Sequence, residues 1–203
     1  SLKKNSEFKS DLLSKKKISK FIKGIKPNLV INCAGETDVS FCNKDFKSAY
    51  KSNVLTVRNI TNSLNEAGTN CLFIQISTDQ VYESNKQNKS NKENETSISN
   101  GYGASKFLGE IESLKYQKTL ILRTNFFGKS KSINRHSYTD FIISNLTRKK
   151  KIKIPSNVFF NPINIEKLSL IIFELYKKNV TGIFNVGSKN NISKLNFAKK
   201  IAN

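Results

Sequence analysis

A tyrosine and a lysine four residues apart form the part of the sequence best suited to chemistry. Tyr102 and Lys106 stand at positions i and i+4 of a segment with helical spacing, so both side chains share one helix face. A neighbouring ammonium favours the phenolate, and we therefore expect Lys106 to lower the pKa of Tyr102 from its ordinary value of about 10. Such a phenol can give a proton to a carbonyl oxygen while hydride adds to the carbon.

Further polar residues stand where a parallel sheet would gather a ligand, directly after three apolar segments. They lie at residues 33–37, 77–79 and 123–126. Ligands of open parallel sheets bind at the carboxyl ends of the strands, so we expect these residues and Tyr102 at one sheet edge. The hydroxyl of Thr78 can bond the same carbonyl oxygen as Tyr102, which completes a candidate triad.

The spacing of Tyr102 and Lys106 alone is weak evidence, because any amphipathic helix can contain it. A surface tyrosine packed on a lysine stem is the alternative. Two features favour chemistry. The pair follows an apolar segment that ends in Ser-Thr-Asp, and the small residues Gly101, Gly103 and Ala104 would let a ligand approach the backbone closely.

The elements that must position these residues alternate along the chain. Helical spacing and unbroken apolar runs follow one another, which predicts an α/β fold with a doubly wound parallel sheet and strands buried on both faces. The predicted helices cover residues 11–26, 41–67 and 102–116, and the predicted strands cover 28–34, 71–77 and 119–124.

After Phe126 the alternation of predicted helices and strands becomes less regular. We therefore expect two units: a Rossmann-like domain over residues 1–126 and a small α+β lobe over 127–203. In the second unit the sequence predicts helices near 138–147 and 165–177 and a strand at 182–186. Residues 83–100 contain almost no apolar side chain and are predicted to form a long polar loop.

Composition excludes several other classes of protein. The net charge of +20 could attract nucleic acid, but only four of the 35 basic residues are arginine, the residue that reads bases best, so nucleic acid is disfavoured as a partner. No apolar stretch approaches the roughly 18 to 20 residues of a membrane helix. Three cysteines without C-x-x-C spacing and the single histidine, His136, disfavour disulfides and any metal site. We expect a cytoplasmic protein.

The sequence contains no methionine, so Ser1 is not an initiator residue, and the last predicted helix stops without a capping glycine. We therefore expect residues to be missing at both ends.

Four motifs, INCAGETDV, ISTDQVY, YGASKFLGE and LRTNFFG, occur in this order and carry a family resemblance. They resemble the extended short-chain dehydrogenase/reductases that act on nucleotide sugars, above all the dTDP-4-dehydrorhamnose reductases. The resemblance runs from about Asp11 to the end of the chain. It implies a Rossmann domain that uses NADH or NADPH to reduce the C4 keto group of a dTDP-4-keto-6-deoxy sugar in dTDP-rhamnose biosynthesis.

The resemblance also implies a role for individual residues. Tyr102 would donate the proton, Lys106 would hold the nicotinamide ribose, and Thr78 would orient the sugar. The implied cofactor contacts are Asp11, Leu12, Ala34, Gly35, Thr37, Tyr102 and Lys106, and the implied substrate contacts are Val39, Thr78, Asp79, Asn125 and Phe126.

Each of these assignments has a plainer alternative. Val39 and Phe126 could simply pack in the core, and Asp11 is also a good helix N-cap. Asn53 resembles an asparagine that steadies the active site in such enzymes, and its alternative is a solvated polar residue beside Ser52.

The resemblance also fails in places. None of the nine glycines forms the Gly-rich turn that cradles a pyrophosphate, so we expect the 203 residues to bind a dinucleotide poorly. Related dehydratases have a glutamate where Gln80 stands, and an amide cannot perform that acid/base step. An epimerase, a non-catalytic sugar-nucleotide-binding subunit, and a homodimer as the assembled form all stay open.

Overall fold

The computed structural model describes residues 10–82, 91–130 and 137–202 and shows a parallel sheet with helices on both faces. Its elements, in chain order, are α1 Lys15–Ile25, β1 Leu29–Asn32, α2 Val39–Lys44, α3 Phe46–Tyr50, a π-helical turn Lys51–Leu55, α4 Thr56–Glu66, β2 Leu72–Thr78, a 3₁₀ turn Asp79–Val81, α5 Gly101–Ser113, β3 Thr119–Phe127, α6 Tyr138–Thr147, β4 Phe159–Phe160, β5 Pro162–Asn164, α7 Ile165–Lys177, β6 Gly182–Val186, β7 Ile192–Ser193 and α8 Lys194–Ala202.

The centre of the sheet is formed by β2 and β3, which run parallel and pair over six residues each. β1 pairs with the free side of β2 in the same direction. β3 has two partners on its other side: β6 lies beside residues 120–124, and β5 lies beside residues 125–127. Because these strands are all parallel, their carboxyl ends share one edge, which confirms the predicted doubly wound α/β fold.

Alternate side chains of the central strands point into two separate apolar cores. Phe73 faces Ile18 of α1 and Leu64 of α4. Leu72 and its alternate neighbour Ile74 face the opposite way, where side chains of α7 cover them. Successive strand residues point to opposite faces, and both faces are buried here, which explains why β2 and β3 read as unbroken apolar runs.

A third apolar cluster joins α6, β4 and α8 and contacts the sheet through Phe127 at the end of β3. Its buried members are Ile142, Phe160, Phe197 and Ala198. The other elements of the predicted lobe, α7 and β6, pack on the main sheet instead. The division of the chain at residue 126 stays a prediction.

The structure corrects three details of the predicted elements. The helix predicted over residues 41–67 is interrupted at Asp45, whose carboxylate accepts a hydrogen bond from Ser48 N at 3.0 Å and so starts α3. The first helix begins at Lys15 rather than at Asp11, whose carboxylate accepts from Leu13 N at 2.9 Å within a turn. β1 is not buried on both faces: it lies at the edge of the described sheet, and Ile31 is 40% exposed.

Glycines let α5 approach its neighbours closely. A Cβ on Gly109 would collide with the carbonyl oxygen of Asn53 in the π-helical turn, and one on Gly103 would collide with that of Gln80. The position of α5, and so of Tyr102 and Lys106, therefore depends on backbone contacts that no larger residue permits. Within the described residues, no helix is long and apolar enough to cross a membrane.

Two helical glycines should respond oppositely to alanine. Gly109→Ala should lower the free energy of unfolding by about 1 to 3 kcal/mol, because the new methyl group overpacks the contact with Asn53. Gly24→Ala in α1 should raise it by roughly 0.5 to 1 kcal/mol, since open space surrounds Gly24 and alanine favours the helix. Urea denaturation measures both, and a Gly109→Ala protein as stable as Gly24→Ala would contradict the packing argument.

Candidate active site

Tyr102 lies in the first turn of α5, where two side chains fix the start of the helix. Asn100 caps the helix by accepting a hydrogen bond from Gly103 N at 2.8 Å. Asn43 of α2 accepts one from Gly101 N at 2.7 Å. These caps satisfy backbone N–H donors that have no partner within the first turn of a helix. They therefore fix the start of α5 and, with it, the position of Tyr102.

The hydroxyl of Thr78 lies near enough to the phenol of Tyr102 to lower its pKa. Thr78 is buried at the end of β2, where its oxygen accepts from Gln80 N at 3.2 Å and donates to Asp79 Oδ1 at 3.4 Å. Burial raises the pKa of Tyr102 to about 12, further helped by the charge of Asp79, and the interaction with Thr78 offsets only part of this. The prediction that the pKa of Tyr102 is lowered is therefore wrong for this structure, because burial outweighs the neighbouring groups.

Lys106 lies one turn further along α5, where its side chain is buried. Its Nζ donates a hydrogen bond to the carbonyl oxygen of Ile76 in β2 at 2.7 Å, which uses one of its three N–H donors. Burial lowers the pKa of Lys106 to about 8, although the carboxylate of Glu110 acts in the opposite direction. Thr78, Tyr102 and Lys106 thus converge where the end of β2 meets the first turns of α5.

Asn53 clamps the loop after β1 onto α5. Its Oδ1 accepts from Glu36 N at 2.8 Å, while its Nδ2 donates to Glu36 O at 3.0 Å and to Ser105 Oγ at 2.8 Å. Asn53 is buried, so the alternative of a solvated residue is wrong. A Cβ on Gly35 would lie 2.5 Å from Asn53 Oδ1 and 3.9 Å from Lys106 Nζ, so this loop passes directly over the lysine.

Asp79 and Asn125 meet across the ends of β2 and β3. The Nδ2 of Asn125 donates to both carboxylate oxygens of Asp79, at 3.2 and 3.1 Å. Burial raises the pKa of Asp79, and its hydrogen bonds with Asn125 and Thr78 lower it in part. The carboxyl group therefore lies beside the triad with both oxygens held in place.

A polar cleft of about 670 Å³ begins at Asp79 and Asn125 and extends towards β6. Its volume is in the range of small-molecule sites. Amide side chains dominate its lining, and Lys189 adds a positive charge, which suits a ligand with phosphate groups. The lining residues are Asp79, Tyr82, Asn91, Arg123, Thr124, Asn125, Asn161, Asn185, Val186, Gly187, Ser188, Lys189, Asn190 and Asn191.

The remaining predicted cofactor contacts lie in loops. Asp11 and Leu12 precede α1, and Asn59 of α4 holds this turn by donating to Leu12 O at 3.0 Å. Ala34 is exposed, and its N donates to Asn32 Oδ1 at 3.1 Å. Thr37, also exposed, donates through its backbone N to Glu36 Oε1 at 2.8 Å. The contact of these residues with a dinucleotide stays a prediction.

Two predicted substrate contacts lie at the margins of the site. Val39 is half-buried as the first residue of α2. Phe126 is 50% exposed near the end of β3, so it does not pack in the core. Their contact with a sugar stays a prediction.

Sequence reasoning missed the buried ion pair between Arg123 and Glu110. Their closest atoms are 2.6 Å apart, and the two side chains are only 2% and 1% exposed. Ser77 also donates to Glu110, and Tyr82 accepts from Arg123 Nη1 at 2.7 Å. The available signal was a charged residue inside an apolar strand, because such residues are almost never fully buried without a partner.

Within the described residues, no group of histidine, cysteine or acidic side chains could hold a metal ion. A nicotinamide dinucleotide fits better. Lys106 keeps N–H donors beyond its bond with Ile76, and these can bind ribose hydroxyl groups. Gly35 lets the loop after β1 lie against Asn53 close to this lysine, because a Cβ there would collide with Asn53 Oδ1.

Comparisons with known proteins identify several that are similar to this chain. A dTDP-4-dehydrorhamnose reductase of Escherichia coli is 23% identical over 188 residues, which cover 90% of this chain and 61% of that protein. A crystal structure of a dTDP-4-dehydrorhamnose reductase from Bacillus anthracis in complex with NADP superposes with a TM-score of 0.85 at 25% identity, covering 94% of this chain and 66% of that one. A hypothetical dTDP-4-dehydrorhamnose reductase from Sulfolobus tokodaii gives 0.83 at 31% identity, covering 97% and 70%.

The chain spans about three fifths of the length of the Escherichia coli relative. Residues 2–203 match the family model described as RmlD substrate binding domain, which is nearly the whole chain. The chain therefore belongs to the RmlD substrate binding domain family.

Proposed function

We propose that this chain carries the catalytic centre of an NAD(P)H-dependent reductase, which converts the C4 keto group of a dTDP-4-keto-6-deoxy sugar to a hydroxyl group in dTDP-rhamnose synthesis. The observation that carries the proposal is the convergence of Thr78, at the end of β2, with Tyr102 and the buried Lys106 in the first turns of α5. Two relatives named dTDP-4-dehydrorhamnose reductase support the choice of substrate. The three free cysteines support a cytoplasmic location.

Lys106 and the loop of Ala34, Gly35 and Thr37 would hold the nicotinamide dinucleotide, and the turn of Asp11 and Leu12 would contact its adenine. When bound, this cofactor supplies hydride. The NADP in the Bacillus anthracis relative supports this class of cofactor. Gly35 would keep the loop close to Lys106, because any side chain there would collide with Asn53.

Tyr102 would supply the proton. With its pKa raised to about 12, the phenol is fully protonated near neutral pH, which is the form a proton donor requires. Thr78, which lies near the phenol, would donate a hydrogen bond to the same keto oxygen. As the oxygen gains negative charge, proton transfer from Tyr102 to that oxygen completes the alcohol.

Lys106 would act on the phenol by its charge. Its buried ammonium favours the phenolate that remains after Tyr102 has given up its proton. Asp79 and Asn125, fixed to each other by two hydrogen bonds, would contact the sugar beside the triad, together with Val39 and Phe126. The cleft beyond Asp79 would take the nucleotide part of the substrate.

Replacing the phenol should separate catalysis from binding. In the product of the complete reading frame, Tyr102→Phe should lower kcat by about 10²- to 10⁴-fold, because it removes the proton donor and leaves the ring. Consumption of NADPH or NADH with the dTDP-4-keto sugar measures the turnover. The affinity for the cofactor, measured by fluorescence titration, should stay within about twofold.

An unchanged kcat in Tyr102→Phe would contradict the role of Tyr102. A wild-type protein that binds the sugar nucleotide without turnover would be a binding subunit. Appearance of an epimerised 4-keto sugar without net consumption of reduced cofactor would identify an epimerase.

The buried Lys106 should leave a signature in stability. Its pKa falls from 10.5 to about 8 on folding, so between these values the unfolded chain binds the additional proton and stability rises with pH. Relative to Lys106→Met, which cannot titrate, the wild type should gain about 3 kcal/mol of unfolding free energy across this window. Urea denaturation from pH 7.5 to about 10.5 measures the difference, and parallel curves would contradict it.

A further inference from the structure

Asn91 lines the polar cleft, so the segment 91–93 contributes to its wall through this residue, and the segment lies outside the helices and strands. Its position depends on bonds from side chains of other elements. Arg123 Nη1 donates to Glu93 O at 2.7 Å. Asn185 of β6 donates through Nδ2 to Asn91 O at 3.1 Å, and through its backbone N to Glu93 Oε1 at 3.2 Å.

Tyr82 connects these two anchors. Its hydroxyl accepts from Arg123 Nη1 at 2.7 Å and donates to Asn185 Oδ1 at 2.8 Å. The Arg123 guanidinium also lies 5.3 Å from the centre of the Tyr82 ring. One hydroxyl therefore orients both the arginine and the amide that hold the segment.

Glu110 fixes the Arg123 guanidinium on the side that faces away from segment 91–93. Its Nε and Nη2 donate to the carboxylate of Glu110, which is almost completely buried on α5. Only Nη1 is left to face the segment and Tyr82. A planar guanidinium fixed on one side presents its remaining donors in a defined direction.

We propose that Tyr82, Arg123 and Asn185 are positioning residues for the nucleotide sugar, which hold segment 91–93 as a wall of its cleft. This inference rests on the proposed function and adds residues to it. Because they lie along the cleft rather than at the triad, the three residues determine how tightly the nucleotide part binds. They therefore affect KM for the sugar nucleotide and leave kcat unchanged.

Two single variants test the proposal without disturbing the core. Tyr82→Phe removes only the hydroxyl, and Asn185→Ala truncates an exposed side chain. Each should raise KM for the dTDP-4-keto sugar by roughly 3- to 10-fold, the effect of one or two hydrogen bonds, with kcat within about twofold. The double variant should raise KM by less than the product of the single effects, because both act through one network.

Tyr138→Phe is the matched control. The hydroxyl of Tyr138 is also buried, and it has no hydrogen-bond partner within the described part of the chain. It lies on α6, away from the lining of the cleft. Its KM and kcat should equal those of the wild type.

Amide hydrogen exchange of the peptide covering residues 91–97 provides a readout that needs no turnover. Exchange should be faster in Tyr82→Phe and Asn185→Ala than in the wild type and in Tyr138→Phe. If the wild type shows no reductase activity, the proposed function fails, and Kd for dTDP and for UDP by calorimetry replaces KM. A rise in Kd of either nucleotide in both variants then still supports the positioning role.

Three results would overturn the inference. These are KM and Kd values that match those of Tyr138→Phe, a loss confined to kcat, and a wild-type protein that binds neither nucleotide. Faster exchange of residues 91–97 with unchanged KM and Kd would also count against it, because the segment would then move without affecting the ligand.

Discussion

The buried ion pair of Arg123 and Glu110 is the interaction on which the arrangement of the site depends. Two charges with almost no exposed surface are stable only when each satisfies the other, since an isolated buried charge costs several kcal/mol. Glu110 lies one turn beyond Lys106 on α5, and Arg123 directly precedes Thr124 on β3. Ser77 of β2 bonds the same carboxylate. The pair therefore fixes α5 against both central strands and keeps Tyr102 beside Thr78.

The same burial that the ion pair maintains also sets the protonation of the candidate triad. It raises the pKa of Tyr102 to about 12 and lowers that of Lys106 to about 8, so it favours the neutral form of both groups. Near neutral pH the phenol is consequently an acid with its proton in place, and Lys106 is a cation close to losing its charge. A phenol held in this form retains the proton that the proposed reduction requires.

Periodicity and motif spacing predicted the elements well, because local pattern decides them. The bounds of α6 and α7 match the prediction, as does β6, and the triad residues lie where the strand ends placed them. The break at Asp45 was missed because the apolar spacing continues through it, although the Asp45 carboxylate caps α3. The π-helical turn was missed as well, and its Asn53 contacts Glu36 and Ser105, which lie 17 and 52 positions away. The pKa of Tyr102 required its burial to be known. The network at the cleft joins residues as far apart as Tyr82 and Asn185, 103 positions along the chain, and no local pattern reports such a contact.

Different contacts fix the triad and the polar cleft: backbone contacts at the triad, and side-chain hydrogen bonds at the cleft. Thr78 and Lys106 are held by a strand paired on both sides and by a helix packed against it through glycines, so backbone contacts determine the geometry of the triad. The cleft wall at 91–93 is held by side-chain hydrogen bonds to Arg123 and Asn185. A substitution at Asn185 can therefore reshape the wall without moving a strand, whereas a change of Gly109 shifts the helix that carries the triad. Under the proposed function, recognition of the nucleotide sugar can thus vary while the acid/base chemistry stays constant.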